Sequence, residues 1–76
     1  EGLLKVEFPP RLLEKVPPDR QRALKAVLAQ DPRPGYQRDP ERVYGLEFAG
    51  MDILFTVKED TLAVKEIKTG RSETLQ

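Results

Sequence analysis

The residues best equipped for chemistry sit in one short run, Asp31-Pro32-Arg33-Pro34-Gly35-Tyr36, followed closely by Arg38, Arg42 and Tyr44. A guanidinium can direct two donors at one phosphate, and a phenol ring can carry a stacked base. Fixed φ at each proline stiffens such a loop, which suits it to presenting side chains, so Asp31, Arg33, Tyr36, Arg38 and Arg42 are the candidates for contact with RNA. A structural reading stands beside this one. Asp31 can bond its own turn, Arg33 can pair with Asp31 or Asp39, and Tyr36 can seal the edge of a core. Tyr44 alternates with Leu46 and Phe48, a pattern that fits core packing.

Other chemistries lack their residues. Histidine and cysteine are absent and the only serine is Ser72, which removes serine triads, cysteine nucleophiles, histidine acid/base chemistry and the usual transition-metal sites. The carboxylate pairs Asp39/Glu41 and Glu59/Asp60 lie beside turn residues, where solvated acids are common. The five glycines are scattered and make no phosphate-cradling motif, which excludes nucleotide binding by those routes. Thirteen basic residues balance thirteen acidic ones, unlike the basic excess of a free-standing nucleic-acid binder. No apolar run approaches the roughly 20 residues of a membrane helix. The lack of cysteine fits a reducing, cytoplasmic setting. The 76 residues make one domain, and a first residue of Glu rather than Met suggests a piece of a longer protein.

The elements that must position the loop are read from periodicity. Leu4, Val6 and Phe8 alternate with Lys5 and Glu7 as a strand over about 3–8, ended by Pro9-Pro10. Arg11 to Val16 has the pattern of one or two helical turns. From about 18 to 30 a helix carries an apolar stripe through Ala23, Leu24, Val27 and Leu28, while Pro32 disfavours helical geometry at Asp31. On this helix Arg20, Arg22 and Lys25 read as a solvated face. Residues 31–42 are loop. Three strands come next, alternating through Tyr44–Phe48, Ile53–Val57 and Leu62–Ile67, with turns too short for anything but antiparallel pairing. In the last strand Ile67 breaks the alternation of Leu62 and Val64, a mark of a bulge or an edge. The polar tail, 69–76, has no pattern and is expected to fray. The fold class is α+β, one strand and two helices ahead of a three-stranded antiparallel meander packed on the main helix.

The run Leu28 to Tyr36, with Arg42-Val43-Tyr44-Gly45-Leu46-Glu47-Phe48 and Asp52-Ile53-Leu54-Phe55-Thr56-Val57, resembles the C-terminal domain of the TrmO (TsaA/YaeB) family of tRNA methyltransferases. In that family a helix ends in a D-P-R-x-x-Y motif and leads into a strand with Tyr near its start. The resemblance spans nearly all of 3–68 and maps the motif onto Asp31, Pro32, Arg33 and Tyr36. Gly35 stands where bacterial members often have Ala. The resemblance implies a parent enzyme that uses S-adenosylmethionine to methylate N6 of threonylcarbamoyladenosine at tRNA position 37, with its cofactor in a separate N-terminal β-barrel. It further implies that this accessory domain, 1–68, binds no cofactor itself, and that it holds the tRNA anticodon arm or supports the barrel and a homodimer. The order of elements is also similar to the RelE/ParE toxins, although those carry a strongly basic surface and this chain offers only Lys65, Lys68 and Arg71 near its last strand. A purely structural or dimerisation domain is the remaining alternative.

Overall fold

Proline begins both helices and glycine closes the first hairpin, so the chain's own punctuation accounts for much of its architecture. The computed structural model describes residues 3–35 and 39–69. Strand β1 is Lys5–Glu7. Helix α1 is Pro10–Leu13, with Pro10 at the first helical position, where its missing N–H costs nothing. Single-turn bonds from Lys15 to Leu12 and from Val16 to Leu13 carry the chain onward to Pro17. Helix α2 is Pro18–Ala29, and three strands complete the domain: β2 Tyr44–Phe48, β3 Met51–Lys58 and β4 Thr61–Lys68.

The fold is α+β, but the sheet extends beyond the expected meander. Its order is β1-β4-β3-β2. The three later strands pair antiparallel through two-residue turns, Ala49-Gly50 and Glu59-Asp60. Strand β1 joins the edge of β4 in parallel, with Val6 opposite Leu62, which makes the sheet mixed and places β4 in its interior. The long passage through α1 and α2 supplies the crossover that a parallel neighbour needs. Lys5 N–H bonds the Asp60 carbonyl at 2.8 Å and Leu4 N–H bonds the Ala29 carbonyl at 2.7 Å, so the start of β1 touches both the final hairpin turn and the end of α2.

One face of the sheet is covered. Met51, Ile53, Phe55 and Val57 of β3 meet Leu62, Val64 and Ile67 of β4 and Tyr44 of β2, under Leu12, Val16, Leu24 and Leu28 from the helical side. Ile67 remains inside because Phe55 pairs with Val64 while Leu54 pairs with Glu66. Lys65 is thus the extra residue of a bulge, which restores the inward phase of Ile67.

The helical stripe is narrower than its sequence suggests. Leu24 and Leu28 are fully covered, but Ala23 is exposed and Val27 is 37% exposed. The seam instead runs through Gln21, whose Nε2 donates to the carbonyls of Leu13 at 3.2 Å and Val16 at 3.0 Å. Leu13 ends α1 and Val16 ends the turn after it, so a polar side chain of α2 bonds the segment that joins the two helices. The tail from 70 onward lies outside the described residues.

Candidate functional site: the anchored loop after helix α2

Helix α2 stops because Asp31 enters the left-handed region, φ 60°, while its N–H returns to the Leu28 carbonyl at 3.1 Å. Glycine usually occupies that position, and Asp is one of the few other residues that tolerate it. The turn aims the Asp31 carboxylate along the loop toward Arg33. Arg33 Nε donates to Oδ1 and Nη2 donates to Oδ2, both at 2.8 Å, a bidentate fork, and Arg33 N–H makes a longer 3.4 Å bond to Oδ1. Pro32 between them holds the geometry with its fixed φ.

The pair is covered but shallow. The Arg33 side chain is 10% exposed and that of Asp31 22%. The Asp31 hydrogen bond is the main cause that holds the Arg33 guanidinium protonated more firmly than usual; burial opposes it, and the charge of Asp31 and then Tyr44 add to it.

Tyr44, the first residue of β2, ties the loop to the sheet. Its ring stacks on Phe55, centroids 5.7 Å apart at 25°, and its hydroxyl accepts the Asp39 N–H at 3.2 Å. Asp39 organises the second corner: its Oδ1 accepts the Glu41 N–H at 2.9 Å and its carbonyl accepts the Arg42 N–H at 3.1 Å. The Arg42 guanidinium lies over the Tyr44 ring, 5.8 Å from the centroid, while the residue remains exposed. A cation over an aromatic face contributes about 0.5–1 kcal/mol at such a site.

The candidates therefore separate. Asp31 and Arg33 grip each other, and Arg42 presents charge to solvent from a fixed seat. Tyr36 and Arg38 lie outside the described residues. Arg20, Arg22 and Lys25 are exposed on α2. No aromatic side chain among the described residues is exposed, so base stacking there has no platform: Tyr44 and Phe55 are buried, and Phe8 and Phe48 are half-buried. Sequence reasoning did not single out Lys58. It lines a groove of about 370 Å³ with Arg33, Pro40, Val57 and Glu59, where the loop meets the β3–β4 turn. No local signal could have found it, because 25 positions separate Arg33 from Lys58 and only the tertiary fold brings both to one groove.

The fold and its loop define a small α+β domain with two helices on one face of a four-stranded mixed sheet. The sequence model of the TrmO C-terminal domain matches residues 1–70, and the chain belongs to that family. Among solved structures, TrmO from Pseudomonas aeruginosa is similar at 25% identity and a TM-score of 0.67, covering 90% of this chain and 34% of that one. A second TrmO structure gives 24% identity and a TM-score of 0.65, covering 87% of this chain and 33% of that one, a likeness of fold. The fold is also similar to a double arginine-to-alanine mutant of the E. coli toxin RelE in its free state, at 13% identity and a TM-score of 0.63, covering 92% of this chain and 86% of that one. No curated protein matches the chain. The chain thus spans about a third of the length of the TrmO structures it matches.

Proposed function

We propose that this chain is the accessory, tRNA-contacting domain of an S-adenosylmethionine-dependent tRNA methyltransferase. The observation that carries the reading is membership of the TrmO C-terminal domain family over residues 1–70, together with a span of only a third of the TrmO structures. On this reading the parent enzyme methylates N6 of threonylcarbamoyladenosine in tRNA, and residues 1–68 form its C-terminal accessory domain. S-adenosylmethionine belongs to a partner β-barrel in the same protein, and the work takes place in the cytoplasm. None of the described helices is long and apolar enough to cross a membrane.

On this reading the residues of this chain hold no part of the cofactor. Their part in the reaction is positional: Asp31 and Arg33 set the shape of the corner, and Arg42, seated on Tyr44, offers charge to an RNA phosphate. The likeness to RelE is one of fold and carries no activity with it.

The test compares the intact protein with a version from which residues 1–70 are deleted, measuring affinity for a tRNA anticodon stem-loop and for S-adenosylmethionine separately. Loss of RNA affinity with cofactor affinity retained is the expected outcome. RNA affinity unchanged by the deletion would reduce the domain to a scaffold.

A further inference from the structure

We infer that Lys58, which lies outside the motif shared with the family, meets a nucleic-acid phosphate, and that neighbouring Glu59 weakens the same contact. This rests on the tRNA-contacting reading above and names a residue pair that reading does not supply.

Two depressions flank the β3–β4 turn. One is the groove shared with Arg33, Pro40 and Val57. The other, of about 380 Å³, opens on the uncovered sheet face, where Thr56, Thr61 and Ala63 are the small side chains and Glu7 and Lys65 add one charge of each sign. Lys58 and Glu59 line both, so they form the ridge that a strand passing from the loop to the open face must cross.

Within the first groove the two cations differ in what they can offer. The Arg33 charge is countered at contact distance by both Asp31 oxygens, and its side chain is nine-tenths covered. A phosphate would have to compete with that fork. Lys58 is exposed at the end of β3 and makes no ion pair with any described residue, even though Glu59 follows it and Asp60 pairs with Lys5 instead. Glu59 adopts φ 59° at the turn and lines the same two grooves. An ammonium on a flexible stem, unpaired and at the meeting of two grooves, is suited to one phosphate contact. A carboxylate one residue away repels the same phosphate, giving the pair opposite signs.

The experiment titrates an anticodon stem-loop oligoribonucleotide with the intact protein over a range of salt concentrations, using wild type, Lys58→Gln, Lys58→Arg and Glu59→Gln. Lys58→Gln is expected to weaken binding roughly 3- to 10-fold at low salt and to reduce the slope of log affinity against log salt by about 0.7–0.9, the share of one phosphate. Lys58→Arg should keep the wild-type slope. Glu59→Gln should tighten binding roughly twofold as one repulsion is removed. An unchanged affinity and slope in Lys58→Gln, with wild type binding, overturns the inference and leaves the accessory-domain reading standing. Failure of Glu59→Gln to tighten binding overturns the role given to Glu59. If deleting the whole domain leaves RNA binding intact, both fall together.

Discussion

Asp31 turns the chain left-handed at φ 60° and, two residues later, Arg33 comes back to hold both of its carboxylate oxygens at 2.8 Å. The residue that ends helix α2 is therefore the one that fixes the direction of the loop. Tyr44 then fastens the far side of the loop to the sheet through its hydroxyl. A segment with three prolines is in this way held at two corners by side chains rather than by a ladder.

Removing either half of the fork should destabilise the domain. Arg33→Ala and Asp31→Ala are each expected to cost about 1–3 kcal/mol, since the partner stays covered and loses its charge-assisted fork. Denaturant unfolding of the two single variants and the double variant should show strong non-additivity, with the double close to either single. Asp31→Asn should fall between, because Asn tolerates the left-handed turn and still accepts one bond.

The fork should be insensitive to alkali over the usual range. Arg33 is held above its ordinary value, so its contribution is complete below that value and is lost only as the pH rises through the still higher folded one. The stability gap between wild type and Arg33→Ala should therefore stay constant from about pH 7 to about pH 10, measured by thermal melts.

Tyr44→Phe keeps the ring on Phe55 and loses only the hydroxyl. The expected cost is at least about 0.5–1.5 kcal/mol, the range for the Asp39 bond taken alone. Hydrogen exchange supplies the local readout: the Asp39 amide, which donates to that hydroxyl at 3.2 Å, should exchange faster while the β3 and β4 amides keep their protection.

Deleting Lys65 should be tolerated. Lys65 has no partner across the ladder, and its removal leaves Val64, Glu66 and Ile67 in a regular in-out-in sequence. Stability is expected to change by less than about 1 kcal/mol, whereas deleting Ala63 breaks the phase between Leu62 and Val64 and should cost several times more. Near-native circular dichroism for the first deletion and its loss for the second are the outcomes to look for.

Ala49→Gly should stabilise the first hairpin. Ala49 sits at φ 52° in an exposed two-residue turn with Gly50 at φ 80°, where a Cβ is unfavourable. A gain of about 0.5–1 kcal/mol is expected, seen as a rise of a few degrees in the melting midpoint.

Local pattern was enough to place every element within a few residues. Alternation marked β2, β3 and β4, proline marked the end of β1 and the end of α2, and the misplaced phase of Ile67 pointed to a bulge or an edge, of which the fold has the bulge, at Lys65. The loop residues were also legible as a turn-forming, charge-bearing segment, with pairing of Asp31 and Arg33 one of two uses open to them. The reason is physical: strand period, helix period and proline geometry are properties of a few adjacent residues.

What only the tertiary structure decided concerns partners distant in the chain. That β1 joins β4 in parallel depends on two helices returning the chain across the sheet, and that Gln21 turns inward depends on the carbonyls of Leu13 and Val16 in the segment before α2. That Arg33 is covered in its fork while Arg42 stays exposed over Tyr44, and that Lys58 shares a groove with Arg33, are matters of the tertiary fold. Such choices are made by competition for donors and space in three dimensions, and no window along the sequence contains both competitors.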